Sequence, residues 1–223
     1  MRKLIVFLIV LVVLLAVVDR VAVAGVQRDL SNRISAAADL SGTPTVTIQG
    51  IPFLTQALAG RYPEVRFDLG TLNLTGVPIK NLNGVAYNVT APLTDVIQNT
   101  ADIRAERLVV HGTVSSATID RFAPKGIKIT GNGRGLVATG EVPVGLQKVK
   151  FTAEMAVEVG EGGLRLVATK IQGVPDALAR LVTYTIPMKG KMPFNAKVTS
   201  VKPVAQGLEF TAEGSDVPLN GRG

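Results

Sequence analysis

One histidine and no cysteine stand among the 223 residues, so the repertoire for covalent or acid–base chemistry is narrow. His111 closes an apolar run, Leu108-Val109-Val110, and there is no thiol for it to activate as a nucleophile. Asp95 with Asp102, or Asp102 with Glu106, would supply paired carboxylates, but Arg104 and Arg107 lie among them, and the group reads as solvated charge. A metal centre needs clustered imidazole or hard oxygen ligands, which one histidine and scattered acids do not provide. Gly131-Asn132-Gly133-Arg134-Gly135 has the composition of a phosphate-cradling loop, yet that chemistry requires a helix N-terminus after the glycines. The following Leu136-Val137-Ala138-Thr139 reads as strand, so the run predicts a hairpin turn with Arg134 at its tip. No catalytic residue, metal site or cofactor is nominated, and the expectation is a protein that is not an enzyme.

What the residue types favour is binding. Phe53, Leu54 and Leu58 share one face of a short helix, and Leu178, Leu181 and Val182 share one face of another. Such groups line a tunnel as readily as they fill a core, and the pattern leaves both open. Tyr184-Thr185-Ile186-Pro187-Met188-Lys189-Gly190-Lys191-Met192 reads as an exposed mouth. There Ile186 and the adaptable Met188 and Met192 would meet apolar ligand, while Lys189 and Lys191, with Arg134, would meet an anionic group. Charge is distributed to match: residues 121–202 hold 13 Lys and Arg against five acids, the rest of the chain 11 against 12. Nucleic acid is a poor partner for that basic half, because aromatic stacking platforms are scarce at 4% of residues and tryptophan is absent. An anionic headgroup or membrane surface is the favoured partner, each cation near it contributing on the order of 1 kcal/mol. A plain solvated exterior is the alternative.

The elements that must position these groups follow from periodicity. Arg2 and Lys3 precede residues 4–18, an apolar run of 15 residues, and Ala22-Val23-Ala24 before Gly25 has the form of a cleavage site. The protein is therefore expected outside the cytoplasm. Val23, Val26, Leu30, Ile34 and Ala37 continue at helical spacing from about Asp19, so residues 1–24 are read either as a cleaved signal peptide or as a retained anchor. Residues 25–223 are expected to form one domain, stabilised by burial alone since disulfides are impossible. Strict alternation marks residues 148–159 as a strand about twice the usual length, returning through residues 164–171. Residues 191–201 pair with 208–212, and further strands are predicted over 45–49, 65–74, 82–91, 104–113, 126–130 and 136–142. Short helices start at Pro52, Pro92 and Pro175, with another turn over 118–123. The fold class is α+β, dominated by antiparallel sheet. Ile48-Gln49-Gly50-Ile51-Pro52 and Ile171-Gln172-Gly173-Val174-Pro175 are near copies, which reads as a repeated strand–turn–helix unit in two halves closing over a shared interior.

Residues 48–60, in particular Gly50, Pro52-Phe53-Leu54-Thr55-Gln56 and Gly60, resemble the signature of the LmeA-like family of actinobacterial envelope proteins. The leader, the amphipathic continuation and the strand-rich remainder are similar to that family from end to end. The resemblance implies a periplasmic or cell-envelope protein that binds anionic, phosphatidylinositol-type phospholipid and supports mannan elongation of lipomannan and lipoarabinomannan. It also implies a long curved antiparallel sheet wrapped on short helices, like tubular lipid-binding domains, and no catalytic residues. The leading expectation is acyl chains in an apolar groove with a basic rim. The alternative is a scaffold for an envelope glycosyltransferase, with lipid incidental.

Overall fold

The computed structural model describes residues 2–37, 39–74, 76–92, 103–131, 135–144, 146–160, 163–187 and 196–219. The chain opens with α1 (Arg2–Ala37), a single 36-residue helix and therefore about 54 Å long. Its first half is apolar on every side and exposed; by length and composition it is able to cross a membrane. From Asp19 onward one side of α1 lies on the domain, with Asp19 and Val23 buried and Ala22 and Leu30 packed on the core. The leader and the amphipathic continuation are thus one unbroken element.

Two antiparallel sheets follow. The first has six strands in the order β1 (Thr45–Ile48), β2 (Arg61–Leu74), β3 (Val77–Thr90), β4 (Arg104–Ser115), β11 (Gly207–Pro218), β10 (Lys197–Val204). The second has five, β5 (Ile127–Gly131), β6 (Leu136–Val144), β7 (Gln147–Gly160), β8 (Gly163–Gln172) and β9 (Tyr184–Pro187), in chain order. The helices are short: α2 (Phe53–Ala59) between β1 and β2, α3 (Ser116–Phe122) between β4 and β5, and a 3-10 turn (Asp176–Leu178) running into α4 (Ala179–Val182) between β8 and β9. The α+β class, the antiparallel sheets and the long apolar N-terminal helix are as the sequence predicts. Three strands reach 14 residues, about 46 Å when fully extended.

Strands of that length do not stay flat. The pairing register slips in β2–β3 around Gly70, in β3–β4 between Lys80 and Asn83, in β7–β8 at Glu154/Met155 and in β10–β11 at Val198/Ser200. Each slip is a bulge or irregularity that adds twist, and the three in the first sheet curl it into a half-barrel. The second sheet abuts the far end of the first, where a Cβ on Gly131 of β5 would lie 2.2 Å from the Val204 carbonyl of β10. Only glycine permits that approach. α3 seals the junction: Ile119 is fully buried, Ser115 accepts the Thr118 N–H, and Asp120 Oδ1 accepts the Ile129 N–H at 2.7 Å. One continuous apolar cluster then runs from Val23 and Phe53 at one end of the molecule to Val182 and Ile186 at the other.

Details depart from the sequence pattern for physical reasons. β7 buries Phe151, Ala153 and Met155, but Val149 and Val157 are half-buried and Val159 is exposed, because the strand outruns the core at both ends. The segment read as an exposed mouth begins instead as strand β9, with Ile186 opposite Leu164 and Tyr184 opposite Leu166. The helix expected after Pro92 lies outside the described residues, as do residues 191–195 of the strand expected over 191–201. The turn expected at 132–134 also lies outside them, but β5 and β6 pair on either side, Gly131 opposite Leu136, which is the expected hairpin.

Candidate functional site

Cross-strand register assembles the candidate surface on the inner face of the half-barrel. Val46, Phe67, Gly84, Val110, Ala212 and Val198 stand opposite one another in turn and form an apolar row across all six strands. A second row, Ile48, Val65, Ala86, Leu108 and Gly214, runs beside it. The intervening row, Thr47, Arg66, Val85, Val109, Glu213 and Lys197, faces outward, as the period of two requires. The inner rows put small residues on β3 and β11, Gly84, Ala86, Ala212 and Gly214, with the larger Leu108 and Val110 of β4 between them. All six are buried, and half-buried Phe67, Val65 and Val198 stand towards the edges. This apolar trough carries no reactive group, and the protein's own side chains pack over it: the Phe67 ring lies 2.5 Å from where a Cβ on Gly84 would be.

The helix residues nominated from sequence fall into two separate places. Phe53 is buried and stacks on Tyr62 with ring centroids 6.1 Å apart; Leu54 is half-buried, and Leu58 is 80% exposed. On the second sheet Val182 and Ile186 are fully buried, Leu178 is half-buried against the core and Leu181 is 45% exposed. Met188, Lys189, Lys191, Met192 and Arg134 lie outside the described residues. Sequence reasoning missed the trough, because much of its floor is glycine and alanine. Its only signal was alternation, Leu82, Gly84, Ala86, in a segment read simply as strand.

Polar features are few and specific. Asp19, at the end of the apolar run of α1, accepts the Leu54 N–H of α2 at 2.7 Å and also pairs with Arg20. The cap residue of α2 itself, Pro52, makes no side-chain capping bond, so a residue 35 positions upstream does that work. At the other end the Tyr184 hydroxyl is buried without a partner among the described residues. Burial, with the charge of Asp120 adding to it, raises its pKa well above the ordinary phenol range, so the group stays a neutral donor. Between α1 and β1 an open groove of about 490 Å³ is lined by Gln27, Arg28, Ser31, Asn32 and Thr43, a mixed surface suited to a polar group. His111 is exposed and bonds Thr211 at 3.0 Å; no cluster able to hold a metal occurs among the described residues.

A profile of LmeA-like phospholipid-binding proteins matches residues 17–213. The chain belongs to that family. Membership of an LmeA-like phospholipid-binding family gives the chain its ligand class, phospholipid. The match begins inside α1, so Asp19 and Val23 belong to the matched region together with the sheets. No curated protein and no solved structure matches the chain.

Proposed function

We propose that this protein is an exported, envelope-located phospholipid carrier or presenter, held at the membrane by α1, which is not cleaved. Acyl chains lie along the inner apolar rows of the first sheet, entering beside the half-buried Phe67, Val65 and Val198, whose side chains give way to admit them. The observation that carries the reading is the six-strand apolar row in a chain of phospholipid-binding family. Each square ångström of acyl surface removed from water contributes about 25 cal/mol, so burying even part of two chains gives tight binding. The headgroup is anionic, of phosphatidylinositol type, and meets cations of the basic half, Arg134, Lys189 and Lys191 as nominated from sequence. Support of mannan elongation on lipomannan and lipoarabinomannan is part of the same proposal, with lipid presented to an envelope glycosyltransferase. No residue of the trough performs chemistry, and the protein is proposed not to be an enzyme.

The test uses the absence of tryptophan. Full-length Val198→Trp and Leu178→Trp variants in detergent micelles each carry one indole, and each is titrated with phosphatidylinositol brominated on its acyl chains. Quenching of Val198→Trp well beyond that of a Leu146→Trp control, on an exposed turn, is expected; equal quenching of all three would overturn the trough. Quenching of Leu178→Trp instead would move the ligand to α4. Salt reports on the headgroup: affinity for anionic lipid should fall as salt rises while that for zwitterionic lipid holds.

A further inference from the structure

Ile51 and Leu58 are 82% and 80% exposed, the most exposed large apolar side chains of the described domain apart from Leu146 on the β6–β7 turn. They flank α2 on the side away from Phe53 and Ala57, which are buried. Isolated exposed aliphatics need no explanation, but these two have a defined position relative to a membrane. Asp19 is the first residue after the apolar run 4–18, and its carboxylate holds the backbone N–H of Leu54. α2 is thereby fixed at the level where α1 leaves the hydrocarbon.

The length of the run sharpens that placement. Fifteen helical residues rise about 22 Å, against about 30 Å of hydrocarbon in a typical bilayer. A short span draws its flanking residues towards the membrane or thins the bilayer around itself. Asp19 tolerates this because its charge is met by Arg20 and by the N–H groups of α2. Arg61, the residue after the Gly60 cap of α2, is exposed and has no ion pair among the described residues; Arg20 is half exposed beside Asp19. Apolar tips with cations beside them are the makings of an interfacial contact.

We propose that α2 is a membrane foot. Ile51 and Leu58 enter the boundary between headgroups and acyl chains of the bilayer that α1 spans, Arg20 and Arg61 lie at phosphate level, and Asp19 sets the depth. The foot rests on α1 being retained, and it stands whether or not the trough holds lipid.

The chain has neither tryptophan nor cysteine, so single reporters are unambiguous. Full-length Ile51→Trp, Leu58→Trp and Leu146→Trp variants are reconstituted into phosphatidylcholine–phosphatidylglycerol vesicles containing lipid spin-labelled near the headgroup. Blue-shifted emission and quenching about twofold or more above Leu146→Trp are expected for the first two. Emission and quenching equal to Leu146→Trp, with α1 resistant to carbonate extraction, would overturn the foot. Ile51→Cys and Leu58→Cys carrying a polarity-sensitive fluorophore repeat the reading where an indole disturbs folding. Adding Asp19→Ala to Leu58→Trp should return quenching towards the control while α1 stays inserted; unchanged quenching would remove Asp19 from the proposal. The brominated-lipid titration of Val198→Trp reads the trough separately, so either idea can fail alone.

Discussion

The passage from β1 into α2 and the passage from β8 towards α4 meet the same backbone problem with nearly the same five residues, Ile-Gln-Gly followed by Ile or Val and Pro. In both the strand ends at or just before the glutamine, the glycine takes a positive φ, 99° at Gly50 and 91° at Gly173, and the helix leads to a strand antiparallel to the first. The surroundings differ. A Cβ on Gly50 would lie 2.6 Å from Gln56 Nε2, the end of a flexible side chain; on Gly173 it would lie 2.5 Å from the Lys150 carbonyl, fixed in β7. The first helix is a seven-residue α-helix capped by Asp19 from α1, and the second begins as a 3-10 turn. Ile51 and Leu58 are exposed on the domain, whereas the matching Val174 is half-buried and the matching Leu181 is less exposed. A repeated local sequence specifies a turn; what the turn faces is set by distant chain.

The largest expected effect tests whether the two units share one interior. Phe53→Ala in the first should cost roughly 3–5 kcal/mol and Ile186→Ala, on the strand after the second, roughly 2–5, because both side chains are buried in the one cluster. Leu58→Ala should stay within about 0.5 kcal/mol in detergent. Thermal unfolding of the full chain followed by circular dichroism measures all three. A Leu58→Ala cost as large as that of Phe53→Ala would break the division into inner and outer faces.

A middle-sized effect separates the two glycines. Each alanine substitution incurs the strain of a positive φ, on the order of 1–3 kcal/mol. Gly173→Ala must also displace the β7 backbone, whereas Gly50→Ala needs only Gln56 to swing away from its 3.4 Å bond to the Pro52 carbonyl. Gly173→Ala is therefore expected to be the more destabilising in the same assay. The reverse order would mean that the α2 junction is the less forgiving.

The smallest effect concerns the first sheet at its α2 end, where Arg104 grips Asp216 through bonds of 2.9 and 2.7 Å. That hydrogen bonding holds the Asp216 pKa below its ordinary value of 3.8. A lowered carboxylate stabilises the fold above the unfolded-state pKa and loses that contribution as pH falls through the lowered value. Asp216→Asn should therefore flatten the acid limb of a stability–pH curve slightly and leave neutral stability almost unchanged, since the pair is exposed. A large loss at neutral pH would show the pair to be structural.

Legibility tracked the range of the interaction involved. Alternation in residues 148–159 located β7 to within one residue at each end, since the period of two is a local consequence of burying one face. Proline at the start and Gly60 at the end located α2 for the same reason. β9 was not legible, because four residues carry too little periodicity and Ile186 is buried by Leu164 across the ladder. Leu58 looked like a groove residue from helical spacing and is on the outside, since which flank of a short helix faces inward depends on what packs against it.

By itself the sequence determined the long apolar start, the α+β class, the long antiparallel strands and the family. These rest on composition and on periodicities a few residues long. Only the tertiary structure decided that the strands divide into two sheets, that glycines and alanines of β3 and β11 share one face with Leu108 and Val110 of β4 between them, and that Asp19 caps a helix 35 positions away. The physical reason is register: which residues stand opposite one another across a bulged ladder is set by the packing of the whole chain, and no local pattern encodes it.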